Sequence, residues 1–333
     1  MPDAIPPVPE APKIAVLIPS FRVKQHILGV LAKIGPECAA IYVVDDACPE
    51  GSGAYVEAEC KDPRVRVLRH EVNQGVGGAT MTGYRAALED GARILVKLDG
   101  DGQMDPALIP RLVAPILAGE ADYAKGNRFF ELEGLSSMPK YRLLGNSALS
   151  FMNKLSSGYW DIFDPTNGFT ALHAAVAAQL PWDRLSRRYF FESDLLFRLA
   201  TLRAVVVDVP MPAVYGDETS GIVLRHAVGE FAWGHLRNTV KRIFYNYYLR
   251  DFNIASIEIL VGLAFVVFGV TFGAVRWIQG GASGIPSTTG TVMLAALPII
   301  LGTQFLLGFV THDLSSMPRQ VIHRRLEPPL PTR

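Results

Sequence analysis

The sequence predicts an α/β domain on a mostly parallel sheet, followed by interfacial amphipathic helices and a C-terminal two-helix transmembrane hairpin. Three observations carry that prediction. From Lys13 onward, short apolar runs alternate with amphipathic stretches, the pattern of strands interleaved with helices. The last third holds two long apolar segments. Between these parts, basic residues mix with aromatic ones.

The strands fall at Ile14 to Ile18, Ala40 to Val44, Val65 to Leu68, Ile94 to Leu98, Tyr123 to Lys125 and Val205 to Val209. Each of the first four runs into polar or glycine-rich sequence. Ligands of open α/β sheets sit beyond the carboxyl ends of the strands. Pro19-Ser20-Phe21, Asp45-Asp46, Asn73-Gln74-Gly75 and Asp99-Gly100-Asp101 should therefore converge on one crevice. No internal repeat is visible.

No Asp, Glu, Lys, Arg or His lies between Arg276 and His312, and a second apolar stretch runs from Ile259 to Val275. A membrane-spanning helix needs about 20 apolar residues, and two fit, at 254–275 and 291–311. The polar piece from Gln279 to Gly290 reads as a turn. Lys241, Arg242 and Arg250 precede the first span, and Arg319, Arg324 and Arg325 follow the second, with only Arg276 at the loop. The excess of flanking cations places both flanks in the cytoplasm. Residues 218–252 carry Arg225, Arg237, Lys241, Trp233, Phe244 and Tyr248 among others, a composition suited to the headgroup layer. Gly262, Gly269 and Gly273 would allow close helix approach, a route to a homo-oligomer that fixes no stoichiometry. Glu258, near the membrane entry, would snorkel or bond a neighbouring chain.

Thirty-two basic residues balance thirty-two acidic ones, and no basic tract marks a nucleic-acid partner. Cys38, Cys48 and Cys60 lack the spacing of a zinc site or a disulfide framework and fit a reducing compartment. The proline-rich residues 1–12 have no secretory signal pattern and read as a disordered tail.

Asp99, Asp101 and Gln103 form a dense set of hard oxygen donors on a turn at a strand end. Such a set suits Mg²⁺ or Mn²⁺, held by one or two carboxylates together with substrate phosphates. Asp45 or Asp46 could accept hydrogen bonds from a ligand, or cap the helix that follows. Asn73 to Gly78 looks like a dinucleotide loop, but Thr80 replaces its third glycine and Arg93 lies where the ribose-binding acid belongs. That argues against a dehydrogenase.

Together these motifs resemble the family-2 inverting glycosyltransferases of the GT-A fold, in particular the branch acting on polyprenyl phosphates. The resemblance rests on Val16-Leu17-Ile18-Pro19, Val43-Val44-Asp45-Asp46, the Asn73-x-Gly75-x-Gly77 loop, Leu98 to Gln103, Gly126-Asn127-Arg128 and Asp164 to Phe169. It covers Lys13 to about Gly216. It implies a GT-A domain at 13–217; the hydropathy and charge pattern adds juxtamembrane helices at 218–252, a hairpin at 253–311 and a cytoplasmic tail at 312–333, together an integral protein expected in a bacterial inner membrane. It further implies that Pro19, Phe21, Asp46 and the Gly75 loop meet the nucleotide-sugar, and that Asp99, Asp101 and Gln103 address metal and diphosphate. Arg128 would neutralise phosphate, and Arg142 and Asn146 would meet the acceptor phosphate.

The nucleophile decides whether a base is needed. A lipid monophosphate is largely ionised at neutral pH, with a second pKa of about 6, whereas a hydroxyl needs deprotonation. Asp164, matched to the family turn, is the first candidate base; Glu192 and Asp194 are the others, and all three could instead be turn or helix-start acids. The leading expectation is transfer of one sugar from a UDP- or GDP-sugar to a polyprenyl phosphate at the cytoplasmic face. A lipid hydroxyl acceptor and a non-catalytic scaffold binding nucleotide-sugar are the alternatives. Two departures stand out: Arg22-Val23 where the family has Asn-Glu, and Tyr215 to Gly221 where it carries an arginine.

Overall fold

The computed structural model describes residues 13–130, 140–212 and 224–326; the first turns of the helices starting at Lys140 and Leu224 are described by backbone alone. Residues 1–12 and the Tyr215 to Gly221 departure lie outside the described residues, as do the side chains of Arg142 and Arg225. Two compact units divide the chain, one of Met1–Asn238 with Pro318–Arg333 and one of Thr239–Met317.

The first unit is built on seven strands, β1 (Ile14–Ser20), β2 (Cys38–Asp45), β3 (Val65–Arg69), β4 (Ile94–Lys97), β5 (Tyr123–Asn127), β6 (Thr170–His173) and β7 (Val206–Pro210). Their order is β3-β2-β1-β4-β6-β5-β7. The helices, in chain order, are α1 (Ile27–Leu31), α2 (Ser52–Glu59), α3 (Val76–Glu89), α4 (Ile109–Leu117), α5 (Lys140–Ser157), α6 (Ala174–Ala177), α7 (Phe191–Leu202), α8 (Leu224–Phe244), α9 (Ile254–Ser283), α10 (Thr289–Ser315) and α11 (His323–Leu326). The apolar strands β1, β2 and β4 are buried along both faces, as strands between two helical layers must be. One core packs Ile18, Val43, Val96, Leu112 and Phe169; the other packs Leu17, Tyr84, Leu95, Leu172 and Leu196.

All six strands expected from the sequence are present. The seventh, β6, was not expected: four residues following Gly168-Phe169 are too short to show alternation. It pairs antiparallel with both β4 and β5, setting Lys97 opposite Thr170 and Thr170 opposite Lys125. The chain entering β6 therefore arrives at the edge where β4 and β5 end.

At the opposite edge, Asp122 is wholly buried. Its carboxylate accepts the N–H groups of Val205 at 2.8 Å, Ile322 at 3.0 Å and His323 at 2.9 Å, and meets His323 Nδ1 at 2.7 Å. The His323 ring stacks on that of His173, centroids 4.3 Å apart. The segment after the hairpin, expected as a tail, is thus a docked part of the first unit through Leu326.

In the second unit, α9 begins with a capping box in which Asn253 Oδ1 accepts from Ala255 N and Ser256 Oγ accepts from Asn253 N. It continues through Gln279 to Ser283, so the turn is shorter than the sequence suggested. Both α9 and α10 are long and apolar enough to cross a membrane. Gly262 and Gly302 face each other: a Cβ on either would lie 3.0 or 2.8 Å from the other's carbonyl oxygen. Gly269 meets the Ala295 carbonyl in the same way and Gly273 the Ala295 Cβ, at 3.2 Å, so all three predicted glycines serve contact within the hairpin. Arg242, read as a flanking cation, is buried and pairs with Asp313 at 2.6 and 3.0 Å, while Tyr247 Oη donates to Asp313 at 2.6 Å. Such a pair is costly to break from one side.

Replacing Asp122 with alanine should strip four buried donors of their acceptor. It is expected to cost about 3 kcal/mol, read as a lowered unfolding midpoint and as new protease cleavage within 318–326.

Candidate active site

β4 delivers Asp99 to the sheet edge, and the same strand delivers a residue the sequence reading passed over. Lys97 is the last residue of an otherwise apolar strand and is 1% exposed. Its Nζ lies 2.7 Å from Asp99 Oδ1, 3.2 Å from Glu192 Oε1 and 3.4 Å from the Gly168 carbonyl. Burial works against the ammonium, but Asp99 and Glu192 outweigh it and hold its pKa above the ordinary lysine value. A lysine interrupting a fully buried strand was the sequence signal, because an unpaired charge is rarely tolerated there.

Glu192, at the start of α7, is buried; its pKa is raised by burial, opposed by Lys97 and reinforced by Asp99. Asp194, two residues on and so on the opposite side of the helix, points elsewhere. It accepts Ser186 N at 3.0 Å and Asn238 Nδ2 at 2.9 Å, tying α7 to α8. Of the two acids in Phe191-Glu192-Ser193-Asp194, only Glu192 stands with Asp99.

Asp99 is about one-third exposed and Asp101 half-buried. Asp101 Oδ1 accepts the Gln103 N–H at 3.0 Å, which folds the turn back on itself. Among the described residues no group of three or more His, Cys, Asp or Glu side chains could hold a metal. Two carboxylates on one turn fit Mg²⁺ or Mn²⁺ only if a ligand completes the shell, the usual arrangement with phosphates.

Gly168 is required by close approach. A Cβ there would fall 2.4 Å from Lys97 Nζ and 2.5 Å from Asp99 Oδ2. The turn before it is organised by Asp164, which has a φ of 48° and is buried. Its carboxylate binds Arg128 in a fork, Nε to Oδ2 and Nη2 to Oδ1, both at 2.8 Å, and also accepts Asn167 Nδ2 at 3.2 Å. Burial raises the Asp164 pKa, but Arg128 overcomes it and leaves it below the ordinary value. Asp164 and Arg128, expected as separate base and phosphate ligand, are one bidentate pair, and an acid so held is a poor proton acceptor.

The doublet at the end of β2 also splits. Asp45 accepts Cys48 N and Gly53 N, each at 2.8 Å, which is the capping alternative. Asp46 Oδ1 takes the Gln74 N–H and Oδ2 the Gly75 N–H, both at 2.8 Å, with His70 Nδ1 at 2.7 Å. Two amides of the loop that would cradle a dinucleotide, those of Gln74 and Gly75, are thus turned onto Asp46, and that of Gly78 onto the Arg187 carbonyl. Gly75 has a φ of 86°, and a Cβ on it would lie 2.5 Å from the Arg187 carbonyl. Pro19 lies in β1; beyond it Phe21 is exposed, with the Arg22 guanidinium 5.4 Å over its ring. Arg142 and Asn146 share α5, where Asn146 is half-buried.

The model of the family described as glycosyl transferase family 2 matches residues 16–180. An undecaprenyl-phosphate mannosyltransferase of Micrococcus luteus is 31% identical over 232 residues, 67% of this chain and 94% of that protein. A polyprenol monophosphomannose synthase of Mycolicibacterium smegmatis is 29% identical over 66% of this chain and 86% of its own. Among solved structures, glucosyl-3-phosphoglycerate synthase of Mycobacterium tuberculosis, bound to Mn²⁺, UDP and glucosyl-3-phosphoglycerate, superposes with a TM-score of 0.52 at 18% identity, covering 69% of this chain and 80% of that one.

Two outcomes are expected. Gly168→Ala should lower turnover at least about tenfold without unfolding the protein, measured by transfer of a radiolabelled sugar. Because the folded pKa of Asp164 is depressed, its contribution to stability is present above its unfolded value of about 3.9 and is lost as pH falls through the lower folded value. Asp164→Asn should flatten the fall in unfolding midpoint below about pH 4.

Proposed function

Because the chain belongs to glycosyl transferase family 2, we propose that it transfers one sugar from a UDP- or GDP-sugar to a polyprenyl phosphate at the cytoplasmic face of a bacterial inner membrane, inverting the anomeric centre. It is a glycosyltransferase with a GT-A-like fold, and two apolar helices suggest its association with a membrane. The observation that carries the finer reading is the likeness to an undecaprenyl-phosphate mannosyltransferase over 94% of that protein's length, in a chain that also carries a membrane-length helical hairpin. We assign 13–217 to catalysis, 218–252 to the interface and 253–311 to the membrane.

In this reading Asp99, Asp101 and Gln103 hold Mg²⁺ or Mn²⁺ against the donor diphosphate; the M. tuberculosis neighbour's Mn²⁺ and UDP support such a site. The cation supplies charge stabilisation of the leaving diphosphate. Phe21 offers an exposed aromatic face for the nucleobase, and the Asp46-organised loop fixes the floor beside it. Arg128 is held by Asp164 in one orientation, with its outer face toward phosphate. The acceptor phosphate, guided by Arg142 and Asn146, attacks without a base because it is already ionised.

One observation favours a second reading. Glu192 is a buried acid of raised pKa beside Asp99, suited to deprotonating a lipid hydroxyl. The two acceptors differ in their product: a glycosyl phosphate releases its sugar in mild acid, whereas an ordinary glycoside does not.

In washed membranes supplied with labelled donor, Asp99→Asn and Asp101→Asn should each reduce transfer at least about a hundredfold, and EDTA should abolish it until Mn²⁺ is restored. Unchanged transfer in both variants would rule out the metal-assisted mechanism. An acid-stable product would move the acceptor to a hydroxyl and make Glu192→Gln inactive.

A further inference from the structure

The site assigned to a divalent cation already contains a positive charge that belongs to the protein. Lys97 cannot leave: it is the last residue of a buried strand, paired in register with Leu17 on one side and Thr170 on the other. Its ammonium is fixed between Asp99 Oδ1, Glu192 Oε1 and the Gly168 carbonyl at 2.7, 3.2 and 3.4 Å. A buried lysine persists charged only when paired in this way.

A divalent cation taking Asp99 as ligand must therefore settle within a few ångströms of a fixed like charge, a repulsion that a half-buried setting screens poorly. Asp99 keeps one oxygen, Oδ2, beyond the bond to Lys97. Glu192 meets the same ammonium at 3.2 Å and offsets part of its charge, but among the described residues it joins Asp99 and Asp101 in no group of three that could hold a metal. A nucleoside diphosphate brings that missing negative charge.

We propose that Lys97 is a positioning residue whose fixed ammonium keeps Asp99 oriented and makes the metal enter only together with the donor diphosphate, instead of residing in the free enzyme. This rests on reading Asp99 and Asp101 as the metal site. Lys97 then sets the order of binding: the free enzyme holds Asp99 as an internal ion pair, and the metal–nucleotide complex shares that carboxylate with the lysine.

The test is titration of the full-length protein in detergent with Mn²⁺, following free Mn²⁺ by electron paramagnetic resonance, with and without UDP or GDP. Wild type should bind Mn²⁺ weakly alone and at least about tenfold more tightly with the nucleotide of its donor. Lys97→Met and Lys97→Gln, both neutral, should bind Mn²⁺ alone at least about tenfold more tightly than wild type, shrinking the effect of nucleotide. Lys97→Arg should behave as wild type. A gain of affinity cannot come from misfolding, and either neutral variant suffices. Neutral variants that bind Mn²⁺ alone no more tightly than wild type, while nucleotide still promotes binding to wild type, would overturn the role of Lys97. Failure of wild type to bind Mn²⁺ with either nucleotide would instead overturn the metal site, and this inference with it.

Discussion

A four-residue strand running against its neighbours decides where the charged groups of this site stand. Were β6 parallel to β4, the Asp164 to Gly168 turn would emerge at the far edge of the sheet. Reversed, it lies beside the end of β4, and the backbone at Gly168 closes on Lys97 and Asp99. The same reversal sets the Asp164 turn beside the end of β5, where Arg128 begins. Two ion pairs, one around Lys97 and one around Asp164, are therefore products of topology as much as of residue choice.

Most of the fold was legible in the sequence because buried parallel strands announce themselves as apolar runs that end in glycine or acid. β6 escaped because Thr170-Ala171-Leu172-His173 is neither an apolar run like the equally short β4 nor long enough to show alternation. The site was legible in its cast and not in its pairings. Each acidic motif divides by direction: Asp45 turns to a helix start and Asp46 to a loop, Glu192 to the site and Asp194 to the frame. Neighbouring positions on a strand end or helix start look alike in sequence, yet their side chains leave in different directions. Lys97 was overlooked for the opposite reason, since a basic residue in an apolar run reads as an edge or an error until its partners are known.

In the second unit, glycines that read as a route to another chain are filled by the facing helix of the same hairpin. The close backbone approach at Gly262 and Gly302 works through packing of small residues. The Arg242 and Asp313 pair shows why counting flanking cations is a coarse guide: one of those counted is consumed by an acid seventy-one residues later.

The partners of Asp122 have a consequence for the order in which the protein is made. A ribosome delivers β5 early, but the amides of Ile322 and His323 that satisfy its buried acid lie two hundred residues further on. In the interval both apolar helices must emerge. The sheet is thus finished from its basal edge only after both apolar helices have been made, and a chain released before that point leaves the buried Asp122 with Val205 N but without the donors of Ile322 and His323.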